Sequence, residues 1–171
     1  MVHRCALNYG CDFQVMAKNN QLALKVEINQ PAKVVWKYLV DWRGQSDWML
    51  QTKVWSELDQ DRTVKNGKGV LIFAFTGLFA GMYPKLKLGV LDTMEVTIWK
   101  PPTRCDVVHI GRVIRGTGRF ELVEKKSKTT FYWSEEIIAP AIFIAILKPF
   151  ILLGVRISLR RFARLVERSS R

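Results

Sequence analysis

Histidine is almost missing from this chain. His3 and His109 are its only two, too few to build a metal centre on imidazole nitrogen. Cysteine is scarce too: Cys5, Cys11 and Cys105 form an odd set with no CxxC pair, which argues against a disulfide framework and a thiolate zinc site. No metal and no cofactor are therefore expected. The same scarcity fits a reducing, cytoplasmic setting, and a Cys5–Cys11 bridge would need an oxidising one. Also lacking is an unbroken apolar run. The stretch from Ile137 to Val155 is strongly apolar, but Pro140, Lys148 and Pro149 cut it and Glu135 and Glu136 precede it. A spanning helix needs about 20 uninterrupted residues, so this stretch is expected to bury against the protein's own sheet. Residues 1–20 hold no apolar run of the length a secretory signal requires. They read as an extension ahead of the folded part, or as an early start with Met16 the true one.

Acidic residues are in the minority, 15 Asp and Glu against 27 Lys and Arg, for a net charge of +12. From Lys148 to Arg171 seven basic residues face a single acid, Glu167, so half of the excess sits at this end. Such a field attracts nucleic acid or anionic lipid. Nucleic acid is the weaker fit, because no aromatic side chains interleave with the arginines to stack on bases. A solvated helix face comes first, and transient contact with a membrane second. With 171 residues, 49% hydrophobic and 25% charged, the chain has material for one domain with a sizeable core. It is expected over 21–168, with a tail at 169–171.

Periodicity divides that domain. Leu22, Leu24, Val26 and Ile28 alternate with polar neighbours as a strand, and Pro31 then opens a helix burying Val34, Val35, Tyr38 and Leu39, with Trp36 near its edge. A short second helix is expected from Arg43 to Leu50. Six more strands follow: TKVWSEL, VLIFAFTG, LGVLDTMEVTIW, RCDVVHI, RVIRGTGRFELVE and TTFYWSEEI. Short connections between the later ones make them antiparallel. The final segment, Phe150 to Arg168, is an amphipathic helix with Leu152, Val155, Leu159, Phe162 and Val166 on one stripe and Arg156, Arg160, Arg164 and Arg168 on another.

Charge returns to strand faces that otherwise belong to a core. Alternation places Asp92 in a row with Leu88, Val90, Met94, Val96 and Ile98, Glu135 with Phe131, Trp133 and Ile137, and Arg112 with Ile114, Gly116, Gly118, Phe120 and Leu122. A charge in such a row is either paired or lines a cavity. One reading is a buried ion-pair network in which Arg112 bridges the carboxylates. The other is a pocket in which Asp92, Arg112 and Glu135 are the polar groups among Phe73, Met94, Ile114, Phe120 and Trp133. Trp48, in the short helical segment beside Met49, is the tryptophan placed to touch a ligand, whereas Trp36 reads as core. His109 has no serine or cysteine partner at a recognisable spacing and reads as a satisfied polar or surface residue.

The order of elements, together with VEINQPAKVVWKYLVDW, GVLDTMEV, CDVVHIGRVIRGTGRFEL, the Trp133 and Glu135 pair and VRISLRRFARLVE, resembles the polyketide cyclase/dehydrase and lipid-transport family of the START-like superfamily (SRPBCC, Bet v 1-like), in its stand-alone actinobacterial form. The resemblance implies an α+β helix-grip fold: a seven-stranded antiparallel curved sheet around a long C-terminal helix, with two short helices after the first strand. It also implies an internal cavity for a lipid or polyketide-like hydrophobic small molecule. Ligand binding without turnover is the first expectation. A cyclase or dehydratase using Glu135 or Asp92 is the second, and attachment to anionic lipid through the basic C-terminal helix is the third.

Overall fold

The inward residues Leu22, Leu24, Val26 and Ile28 become the first strand, β1 (Gln21–Ile28), of a computed structural model that describes residues 21–61, 63–77, 89–138 and 141–169. Pro31 caps α1 (Ala32–Leu39), and α2 (Gln45–Trp48) follows after a tight turn. The remaining elements are β2 (Thr52–Ser56), β3 (Leu71–Gly77), β4 (Gly89–Lys100), β5 (Arg104–His109), β6 (Gly116–Lys125), β7 (Lys128–Ile137) and α3 (Ala141–Arg168). All seven strands join one antiparallel sheet in the order β1-β7-β6-β5-β4-β3-β2. Chain neighbours from β2 to β7 are neighbours in space, and β1 closes onto β7. This is the helix-grip architecture that the sequence implies.

The core lies between the inward face of this sheet and the helices. Trp36, read as core from the sequence, is buried and packs edge-on to Trp99 with ring centroids 5.1 Å apart. Trp99 arrives there because of a β-bulge. The register between β4 and β5 slips between Val96 and Ile98, so Ile98 leaves the inward row and Trp99 takes its place. Phe162 of α3 is fully buried between Trp48, at 4.8 Å, and Phe131, at 5.7 Å. Ser158 ties the same helix down, its hydroxyl donating to the Gly154 carbonyl and accepting from the Leu50 amide.

Two expectations fail in instructive ways. The helix starts at Ala141, nine residues before Phe150, and continues through Pro149. Its first half does not bury against the sheet as a unit: Ile144 is buried, but Ile142, Ile146, Leu147, Phe150 and Leu153 are exposed. Apolar character alone does not decide burial, because a helix presents only one side to the body it packs on. The second failure concerns the start of the sixth strand. Residues 110–115 are a loop, and β6 begins at Gly116 with φ at +140° and the Glu136 carbonyl directly where a Cβ would stand. Only glycine fits there. Arg112, expected on that strand's inward face, is therefore an exposed loop residue. Residues 1–20, including Met16, and Leu88 lie outside the described residues.

Candidate functional site

Strand register carries three ionisable side chains to one place on the concave face. Glu135 on β7 stands opposite Gly118 on β6, and Gly118 stands opposite Val107 on β5. One step along, Gly116 faces His109, and His109 faces Met94 on β4. Asp92 follows two residues from Met94, diagonal to His109, where long side chains still meet. The histidine Nδ1 and Asp92 Oδ2 are 2.7 Å apart. A carboxylate only accepts, so Nδ1 donates its proton to Asp92 and Nε2 is left for another partner. Neither Nε2 of His109 nor Oδ1 of Asp92 has a partner among the described residues, although both are buried. Such atoms are costly to leave unmatched.

Gly118 makes room for the third member. A Cβ at this position would lie 2.9 Å from Val107 Cγ2, 3.5 Å from His109 Nε2 and 3.7 Å from Glu135 Cγ. The missing side chain thus leaves the histidine and the glutamate flanking a common space. Burial pushes the Glu135 carboxyl up to about 7; the nearby His109 pulls it back and the Asp92 charge adds to the rise. For His109, burial favours the neutral ring, but the Asp92 hydrogen bond and the charges of Glu135 and Asp92 outweigh it and raise its pKa. The result is a glutamate that titrates near neutrality beside a histidine whose pKa is raised. Among the described residues no set of three or more His, Cys, Asp or Glu is arranged to hold a metal ion.

The other expected site residues divide into those that belong to this face and those that do not. Trp133, buried, and Phe120, half-buried and edge-on to Phe131 at 5.6 Å, are paired in register one step from Glu135. Met94 lies beside His109, and Ile114 is a half-buried loop residue just before Gly116. Trp48 is buried against Phe162 with its indole N–H unpartnered among the described residues. Phe73, by contrast, is on the opposite face. Its neighbour Ala74 is the one paired with Asp92, while Phe73 stacks on Trp55 at 5.7 Å. Arg112 does not join the carboxylates, so the expected ion-pair bridge is replaced by His109. The alternation of Cys105, Val107 and His109 already put that histidine on the inward parity, and the small Gly116 and Gly118 opposite it were the signal that a polar group had space.

The convex face has charged residues of a different kind. Asp106 is held by Arg104 at 2.6 Å and Arg119 at 3.3 Å, and these contacts outweigh its burial and hold its carboxyl below the usual range. Asp106 and Arg119 border a shallow groove of about 210 Å³ with Thr97, Ser134 and Glu136. The Asp106 charge there is already matched, as on an ordinary solvated sheet.

No protein-family model matches the chain, and no curated protein matches it in sequence. Solved structures do. A protein from Nitrosomonas europaea superposes with a TM-score of 0.69 at 13% identity, over 91% of this chain and 99% of that one. A protein from Mycobacterium smegmatis does so with 0.66 at 12%, over 92% and 98%. The Zhui aromatase/cyclase from Streptomyces sp. R1128 gives 0.66 at 15%, over 88% and 95%. At these identities the likeness is one of fold.

Proposed function

We propose that the protein binds a hydrophobic small molecule between the concave face and α3, and that a hydroxyl of this molecule reaches His109 and Asp92. One observation carries this reading: the buried Nε2 of His109 and Oδ1 of Asp92 have no partner among the described residues. A ligand hydroxyl satisfies both, accepting from the protonated ring and donating to the carboxylate. The apolar body of a lipid or polyketide-like compound would lie among Trp48, Met94, Ile114, Phe120 and Trp133, with burial of its surface as the driving force. The fold shared with an aromatase/cyclase supports this placement within the polyketide cyclase/dehydrase and lipid-transport family.

Native mass spectrometry of protein purified without detergent should show a co-purifying hydrophobic molecule. As a defined probe, 1-naphthol should bind saturably and weaken about tenfold or more in His109→Ala, since a hydrogen bond to a charged group is lost. Phe120→Trp, which fills the apolar part, should weaken it too. No binding, or equal binding by a folded His109→Ala, overturns the proposal.

A second reading is favoured by the Glu135 carboxyl, pushed up to about 7 beside the His109 and Asp92 pair. His109 and Glu135 both hold protons more tightly than free side chains do, so one member gives a proton as the other takes one. That is the chemistry of a dehydratase or cyclase: a proton leaves carbon while a hydroxyl departs as water. In this reading Glu135→Gln abolishes turnover of a β-hydroxy ketone and keeps 1-naphthol binding. Unchanged turnover removes it.

A further inference from the structure

Exposed apolar side chains collect at one end of the molecule. The chain reaches this end at the start of β4, the end of β5, the start of β6 and the end of β7, as the bonds from the Ile110 amide to the Thr93 carbonyl and from the Ile138 amide to the Arg115 carbonyl require. Val90, Leu91, Ile110, Val113 and Ile138 are all exposed there, Val113 and Ile138 to 71% and 70%. Helix α3 starts at the same end and extends the surface. Its outward stripe runs through Ile142, Ile146, Phe150 and Leu153, with Phe150 71% exposed. Isolated exposed apolar residues are normal, but this many at one end mark an interaction surface.

The same stripe then changes chemistry. Continuing at spacings of three and four, it passes the half-buried Ile157 and becomes Arg160, Arg164 and Arg168, all exposed. No acidic residue occurs between Glu136 and Glu167, whereas five basic ones do. Arg112 and Arg115 add exposed positive charge in the loop beside Ile110 and Val113. One helix side therefore offers apolar groups over its first half and cations over its second. From Ile142 to Leu153 the apolar part is about 16 Å long, and no helix among the described residues is long and apolar enough to cross a membrane.

We infer that this end docks onto the surface of an anionic lipid bilayer. The apolar stripe enters the boundary between headgroups and acyl chains, and the arginines meet lipid phosphates. A second copy of the chain is the poorer occupant, because two copies each carrying a net charge of +12 repel one another. Docking does not depend on the ligand reading above, since none of its residues belongs to the His109, Asp92 and Glu135 cluster.

The test is flotation of the full chain with phosphatidylglycerol/phosphatidylcholine vesicles and with pure phosphatidylcholine vesicles. Binding is expected to the former, to fall with added salt, and to drop about tenfold or more in the Ile146→Ser/Phe150→Ser double variant. Those sites are exposed, so the melting temperature and 1-naphthol binding should stay near wild type. In Phe150→Trp, brominated acyl chains should quench the added indole beyond the loss seen in wild type. No binding to anionic vesicles, binding indifferent to the double variant, or no added quenching overturns the inference. So does a dimer in sedimentation that the double variant dissolves and that excludes vesicles.

Discussion

Asp92 and Glu135 were legible as anomalies because a carboxylate in an apolar strand row contradicts its neighbours. Their partner was not. Arg112 shares the parity of Phe120 and Gly118 in the sequence, and nothing in that spacing reveals that the chain loops from 110 to 115 before β6 begins. His109, two residues along from Val107, is the group that meets Asp92 at 2.7 Å. This exchange of arginine for histidine makes the cluster sensitive to pH near neutrality. Folding raises the pKa of Glu135 from 4.5 to about 7 and that of His109 above 6.5. Raised groups bind protons more tightly when folded, so their contribution to stability is complete below the unfolded values and lost as pH climbs through the folded ones. Thermal stability should therefore decline from pH 5 to pH 8, by an amount on the order of 2 kcal/mol. Glu135→Gln, which carries no proton to lose, should flatten the decline. A wild-type melting temperature that rises over this window, or a Glu135→Gln profile that matches wild type, contradicts the assignment.

Helix α3 shows how far a periodic pattern reaches. The stripe of Leu152, Val155, Leu159, Phe162 and Val166 does face the body, and Leu159, Phe162 and Val166 are buried outright. Where the helix begins was not readable, since Pro149 is a breaker by propensity yet lies inside it. Proline removes one backbone donor and restrains the preceding turn, yet α3 runs through it without a break. The two halves of α3 should respond differently to the same truncation. Phe162→Ala, opening space between Trp48 and Phe131, should lower unfolding free energy by about 3–5 kcal/mol. Phe150→Ala should change it by less than about 0.5 kcal/mol. Equal losses in denaturant titration would mean that the first half of α3 is packed. In β4 the pattern failed at a single point: a bulge after Val96 exchanged the facing of Ile98 and Trp99. A period of two cannot anticipate an inserted residue.

Across the whole domain, the sheet encloses groups that have no local protection in sequence. Cys105, between Arg104 and Asp106, looks accessible on paper but is fully buried, and burial with the adjacent Asp106 charge pushes its thiol up to about 12. It should react only when the domain opens as a unit. In a Cys5→Ser/Cys11→Ser variant, iodoacetamide labelling at pH 8 should be slow and follow the global unfolding transition in denaturant. Rapid labelling in native buffer would show that the β4, β5 and β6 core opens locally. Alternation and three-and-four spacing by themselves determined the element types, the seven antiparallel strands and the long basic helix, because these are short-range consequences of where each Cβ points. Only the tertiary structure decided that His109 rather than Arg112 completes the carboxylate cluster, that Phe73 faces away from it, and that half of an apolar helix stays in solvent. Those facts depend on register between strands distant in sequence and on which side of each element finds something to pack against, and neither is encoded in a local period.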